Sequence, residues 1–144
     1  MKNLYLVARI AGQRIAIESE HVESVVTVQD VVPVPKSDPS IAGLFALRSR
    51  VLTLIDSQYL VTGQRAELVR GALAVVADIG GHHYGLLVEM VEDVVSVQSS
   101  VTDNAIKPSR TWGRLISGMI MVGDEIVMVL DPSRLVAGEQ AAAA

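Results

Sequence analysis

The sequence contains no cysteine among its 144 residues, which excludes disulfides, thiolate catalysis and cysteine-ligated metal sites. Aromatic residues make up only 3% of the chain, so there is little material for stacking on nucleic-acid bases. Twelve basic and sixteen acidic residues give a net charge of −4, and no run of Lys or Arg could follow a phosphate backbone. We therefore expect neither nucleic acid nor an anionic membrane surface as a partner.

Long apolar runs are missing too, although half of the residues are apolar. No stretch of 18 apolar residues occurs, and the apolar residues are mostly Val, Ile, Leu and Ala, which favours packed strands. The segment Met1–Arg9 has neither the apolar region nor the cleavage site of a signal peptide. We expect a cytoplasmic protein that does not insert directly into a membrane.

What the sequence does contain is an internal repeat in two blocks. The first block consists of two segments that recur 69 positions later, and the second is one segment that recurs 75 positions later. The matching segments are Ala8–Gly12 with Ala77–Gly81, His21–Gln29 with Met90–Gln98, and Ile41–Gly63 with Ile116–Gly138. One copy of roughly 65 residues buries too little apolar surface to be stable alone. We therefore expect a single domain made of two pseudo-repeats, about 4–65 and 73–138, around a shared core, followed by a disordered tail at 139–144.

Strand-like runs alternate with turn signals in both repeats. Leu4–Ile10 and Arg14–Ile17 flank a turn that contains Gly12, and Gly80-Gly81 marks the corresponding turn of the second repeat. Such pairs of runs around a glycine turn predict β-hairpins. Many short strands joined in this way predict an all-β fold of two small, packed β-barrels with short helical turns.

Asp56 and Asp131 hold equivalent positions, each directly after an apolar strand. The favoured interpretation is helix capping, since Asp is a good N-cap and Pro132 stands at the preferred first helical position. The alternative is a small pseudo-dimeric hydrolase in which the two carboxylates share a proton, as in aspartic proteases. Neither Asp is followed by the Ser/Thr-Gly turn that this chemistry normally uses, so capping is preferred.

Histidine and tryptophan give weaker signals. His82 and His83 are adjacent, so on a strand they point to opposite faces and do not share a metal easily. His21 is remote in sequence, and we predict no metal site, no cofactor and no catalytic residue. The sole tryptophan, Trp112, is interpreted as a lid over the core of the second repeat, with a binding hot spot as the alternative.

The most specific motif is Ile41–Asp56, in which a Gly is followed by Ala-Leu-Arg-Ser and then by an apolar strand ending in Asp. Supporting motifs are Val22–Val25, Tyr84–Val88, Val91–Val94 and Gly118. This ordered set resembles the CheW-like domain, the adaptor module that couples bacterial chemoreceptors to the histidine kinase CheA. The resemblance covers nearly the whole chain, about Leu4 to Gly138.

The resemblance implies two SH3-like five-stranded β-barrels packed around a shared hydrophobic core, with no catalytic activity. In the family, the groove between the barrels meets the receptor's cytoplasmic tip, and one barrel pairs with the regulatory domain of the kinase. The residues carried over are Val22, Val25, Val91 and Val94 in the receptor-facing groove and Arg48 at the receptor and kinase surfaces. The alternatives are core packing for the valines and a solvated turn for Arg48.

Two positions depart from the family pattern, Ala46 in place of Asn and Ser49 in place of Gly. If the family Gly has a positive φ, Ser49 costs about 1 kcal/mol or forces a different turn. The function implied is a non-enzymatic adaptor between a chemoreceptor tip and a CheA-like kinase. A CheW-like scaffold in a non-chemotactic pathway, such as surface motility or biofilm control, is the alternative of the same class.

Overall fold

The computed structural model describes residues 3–97, 100–101 and 109–136. The strands are β1 (Asn3–Ile10), β2 (Gln13–Glu18), β3 (Val22–Val28), β4 (Ile41–Leu47), β5 (Arg50–Ile55), β6 (Ala72–Ile79), β7 (His82–Val88), β8 (Met90–Val97), β9 (Ser100–Val101), β10 (Ile116–Val122) and β11 (Glu125–Leu130). The helical elements are a 3₁₀ turn (Ser19–His21), α1 (Ser57–Thr62), α2 (Arg110–Leu115) and a turn at 132–136. The predicted all-β class is confirmed. The predicted tail at 139–144 lies outside the described residues.

Two sheets form the fold, and each takes strands from both repeats. Sheet A has the order β8-β1-β2-β11-β10-β9, and sheet B the order β3-β6-β7-β5-β4. The β1–β2 hairpin of the first repeat therefore lies in the sheet of the second repeat, and β6–β7 lies in the sheet of the first. Parallel pairing joins each hairpin to its host sheet, with Ala16 beside Val129 and Gly85 beside Leu54. The repeats are interlocked through these exchanged hairpins.

The described residues form three hydrophobic clusters, and the largest lies between the sheets. This shared core draws on the exchanged hairpins, with Leu6, Ala8, Ile15 and Ile17 from one and Val75, Ala77, Leu86 and Val88 from the other. The intervening residues pack on the opposite face of each sheet, such as Ala74 and Leu87 in sheet B and Ala16 in sheet A. Because successive strand side chains alternate between faces, both hairpins are buried on both sides. The predicted shared core is confirmed.

The predicted barrels are open sheets. In the described residues, the hydrogen-bonded ladder of neither sheet returns to its first strand. Packing of the apolar faces, and not hydrogen-bonded closure, therefore encloses the smaller cores. Within the same described part, no helix is long and apolar enough to cross a membrane.

Both aspartates cap helical turns, as the sequence predicts. Asp56 is 2% exposed, and its carboxylate accepts hydrogen bonds from the backbone N–H of Tyr59 at 3.0 Å and of Ala66 at 2.8 Å. Asp131 accepts from the N–H of Ser133 at 3.0 Å. Each carboxylate is thus engaged by its own neighbouring segment, which leaves the proton-sharing pair without structural support.

Trp112 lies in α2, where its backbone N–H donates to the side-chain hydroxyl of the N-cap Ser109 at 3.3 Å. Its half-buried side chain packs against the shared core. The core that it covers is the shared one, to which the second repeat contributes Leu115, Leu130 and Leu135.

Candidate partner-binding surfaces

The edge strands β3 and β8 are equivalent in the two repeats, and each contains a β-bulge. In β3 the pairing with β6 skips Glu23, and in β8 the pairing with β1 skips Glu92. A bulge leaves one residue outside the ladder and re-aims the side chains around it. The four valines predicted to bind a partner flank these two bulges.

Val22, Val25, Val91 and Val94, which we call the valine surface, all lie on the side of their sheets that faces the shared core. Val22 and Val91 are half-buried and pack directly against that core. Val25 is paired with Val75 and Val94 with Leu6, and both of these partners belong to the shared core. Cross-strand partners share a face of the sheet, so Val25 and Val94 each lie on the face that is turned toward the shared core.

Exposure separates the four valines into two pairs. Val25 is 38% exposed and Val94 is 53% exposed, whereas Val22 and Val91 contribute to core packing. Val22 and Val91 thus have the core packing that one alternative expects, and partner binding by the four valines stays a prediction. The outer valines are available for contact, and the inner valines support them.

A cavity of about 450 Å³ opens between the sheets next to the connection between the repeats. We call it the linker cavity. Its lining residues are Ile10, Ala11, Gln58, Ala66, Glu67, Val69, Gly71, Ala72, Leu73, Leu87, Val88 and Glu89. The four valines are not among them. No sequence motif indicated this cavity, whose wall comes from the connection between the two repeats, where Leu68 and Val69 are 43% and 58% exposed.

Arg48 lies at the tip of the β4–β5 hairpin and is exposed. Its φ is +58°, in the left-handed region that favours glycine. The strain that the sequence places at Ser49 therefore falls on Arg48. Behind the tip, Ala46 and Val51 are paired and exposed, and Val51 is 70% exposed. The tip thus presents a cation beside a small apolar patch.

The equivalent tip of the second repeat carries the opposite charge. Gly123 and Asp124 replace Arg48 and Ser49 in the turn, and Glu125 takes the place of Arg50. Exposed Met121 supplies its apolar patch. The two hairpin tips are therefore alike in shape and opposite in sign.

The bulge carboxylates hold the edge strands to their neighbours. Glu92 accepts from Arg9 Nε at 2.9 Å and from Arg14 Nε at 2.8 Å, and these two guanidinium groups lower the pKa of Glu92 below its usual value. Glu23 accepts from Arg50 Nη2 at 2.9 Å and lies 3.0 Å from His83 Nε2. The second histidine of the His-His pair is thus a neighbour of this carboxylate.

Glu18, Glu20 and His21 form the set of possible metal ligands that the described residues contain, with ligand atoms within 4.8 Å of one another. A hydrogen bond with Glu20, together with partial burial, raises the pKa of Glu18. All three side chains are at least 38% exposed. Exposed acidic groups of this kind are common in proteins that bind no metal, so we assign no ion here.

Comparison with known protein families identifies the family of this chain. The family model described as the CheW-like domain matches residues 4–140. The chain belongs to the CheW-like family. Proteins of this family are scaffolds or adaptors of chemotaxis and not enzymes, which confirms the resemblance and leaves the hydrolase alternative without support.

Two relatives illustrate the similarity of this CheW-like chain. It is 23% identical over 127 residues to the Chemotaxis protein CheW of Thermotoga maritima, covering 88% of this chain and 83% of the relative. Its fold is similar to the crystal structure of the scaffolding protein TtCheW from Thermoanaerobacter tengcongensis. The TM-score is 0.79 at 18% identity, with 94% of this chain and 88% of the other covered.

Proposed function

We propose that this CheW-like chain couples the cytoplasmic tip of a chemoreceptor to a CheA-like histidine kinase by binding both at once in the cytoplasm. The observation that carries the proposal is the presence of two separate exposed surfaces on one interlocked body. One is the valine surface with the adjoining linker cavity, and the other is the β4–β5 hairpin tip with Arg48.

The valine surface suits the receptor. Val25 and Val94 are exposed apolar side chains on the inter-sheet face, and docking a receptor tip would remove them from water. Burial of apolar surface stabilises a complex by about 25 cal/mol per Å² before the costs of association. The inner valines pack on the shared core and give this surface a fixed shape.

The hairpin tip suits the kinase. Arg48 stands beside exposed Val51 and Ala46, and an arginine surrounded by apolar contacts is the composition of an interface hot spot. At the base of the tip, Arg50 on β5 donates to Glu23 on β3 at 2.9 Å through an exposed ion pair.

The coupling itself would be geometric. The shared core and the exchanged hairpins join the two contact surfaces into one body, so a displacement of the receptor is passed on to the kinase. A scaffold that binds two partners raises their effective concentration and fixes their relative orientation. Receptor states that prefer different orientations would then shift the kinase between its own states.

The test is a charge reversal at the tip. Arg48→Glu is expected to weaken binding to the purified regulatory domain of the kinase at least tenfold in calorimetric titrations, because attraction becomes repulsion at a desolvated contact. Binding to a receptor cytoplasmic fragment should change much less. Arg114→Glu, an exposed reversal on α2, serves as the matched control. Equal kinase affinity for wild type and Arg48→Glu would contradict the assignment of the tip.

A further inference from the structure

We infer that the linker cavity determines which receptor tips the chain accepts, because its two acidic residues select an apolar segment that is flanked by Lys or Arg. This inference rests on the proposed function, since the occupant is the same receptor tip. It adds a charge requirement that comes from the connection between the repeats.

The cavity is a fixed structure with an apolar floor. Ile10 and Val88 belong to the shared core, and Leu73 packs against it. The outer wall is the connection at 64–71, which is held at both ends. The N–H of Ala66 donates to the buried carboxylate of Asp56 at 2.8 Å, and the N–H of Gly71 donates to the carbonyl of Val28 at 2.8 Å.

Every charged residue of the lining is acidic. These residues are Glu67 and Glu89, and within the described part of the chain neither carboxylate forms an ion pair with a Lys, Arg or His. Glu89 accepts a hydrogen bond from the N–H of Gly12, which fixes its position at the mouth of the cavity. An occupant with its own carboxylates would bring like charges together. Lys or Arg suits this site because its stem packs on apolar surface while its charged end meets a carboxylate.

The cavity continues the valine surface on both sheets. Thr27 lies two residues beyond Val25 on β3 and is paired with Leu73, which lines the cavity. Beside the other sheet, Glu89 lies in the bend between β7 and β8, two residues before Val91. Two residues of extended chain span about 7 Å, so a single occupant of the valine surface reaches the cavity without a gap.

The test measures how a receptor cytoplasmic fragment binds to charge variants. Glu67→Lys is expected to weaken binding about 3- to 10-fold at low salt. The substitution replaces the attraction between the Glu67 carboxylate and a Lys or Arg of the receptor tip by a repulsion between two cations. Glu67→Gln should give a smaller loss of the same sign. Asp124→Lys changes an exposed charge on the opposite hairpin tip and should leave affinity within about twofold. The difference between wild type and Glu67→Lys should shrink as salt is added.

The reciprocal change identifies the receptor residue. Replacing the Lys or Arg beside the apolar residues of the receptor tip by Glu should weaken binding to wild type and restore binding to Glu67→Lys. If wild type binds and neither Glu67 variant differs from it, the charge requirement is wrong and the proposed function stands. If wild type does not bind the fragment at all, the proposed function fails and the inference fails with it. Melting temperatures equal to wild type show that the variants are folded.

Discussion

Glu23 and Glu92 lie 69 positions apart in the sequence and occupy the same bulge of equivalent edge strands. Each carboxylate ties its strand to residues contributed by the other repeat, Glu23 to His83 and Glu92 to Arg9 and Arg14. The two repeats are thus linked by these side-chain contacts as well as by the exchange of hairpins between the sheets. The edge strands that carry the valine surface are held in place by these contacts.

Acid should weaken the contact at Glu92. Arg9 and Arg14 lower the pKa of Glu92 in the folded protein, while the unfolded value is about 4.3. The contact therefore contributes stability above about pH 4.3, and this contribution is lost as the pH falls through the lowered folded value. Glu92→Gln should be less stable than wild type at pH 7 and should lose less stability between pH 5 and pH 3. Urea unfolding across that range measures the difference.

A partner variant checks the cause. Arg9→Gln should flatten the same part of the pH profile, and the double variant should lose less than the sum of the two single variants, since both act on one contact. Parallel pH profiles for wild type and Glu92→Gln would show that the contact does not form in solution.

Arg48→Gly should make the fold more stable and the scaffold less effective. A non-glycine residue at positive φ costs about 1 kcal/mol, and Gly removes this cost at φ +58°. The same change removes the cation that we place at the kinase interface. Thermal melts should therefore show a higher melting temperature together with weaker kinase binding. A lower melting temperature would mean that the arginine side chain stabilises the turn.

Val94→Asp and Val91→Asp should behave differently. Val94 is 53% exposed, so its replacement should change the free energy of unfolding by about 0.5 kcal/mol or less while weakening receptor binding. Val91 packs against the shared core, and a carboxylate there should cost about 2 kcal/mol or more. Melts and receptor titrations of both variants make the comparison. If Val94→Asp binds the receptor as wild type does, the outer valines are not part of the contact.

Neither repeat should fold alone. Residues 1–70 contain β3 and β5 but lack β6–β7, which lie between them in sheet B. The β1–β2 hairpin in the same fragment loses both of its neighbours in sheet A. We expect poor amide dispersion for the fragment alone, and a native-like spectrum after residues 71–144 are added. A well-dispersed, cooperatively melting fragment 1–70 would contradict the interlocked fold.

The hairpins and the capped helical turns could be predicted from short stretches of sequence. Gly12 and Gly80-Gly81 predicted the two hairpins, and Asp56 and Asp131 predicted the capped turns, because these features depend on a few neighbouring residues. The exchange of hairpins was not predicted. Both repeats have the same apolar pattern, so pairing a hairpin with its own repeat or with the other one buries the same kinds of side chain.

The surfaces were predicted less completely than the fold. The family resemblance implied one surface for the four valines, but the bulges at Glu23 and Glu92 are what bring residues three apart to the same face, and the division into outer and inner pairs depends on packing against the shared core. Pairing of Leu47 with Arg50 leaves Arg48 and Ser49 as a two-residue turn, and of these two it is Arg48 that has the positive φ. The linker cavity depends on the long-range contact between Asp56 and Ala66, which no local pattern indicates.

Co-sedimentation of a purified receptor cytoplasmic fragment and the kinase, with and without this protein, tests whether one chain holds the receptor and the kinase together. We predict that the kinase sediments with the receptor only when the protein is present, and that Arg48→Glu removes the kinase while the scaffold remains on the receptor. Equal sedimentation of the kinase with and without the wild-type protein would contradict the account.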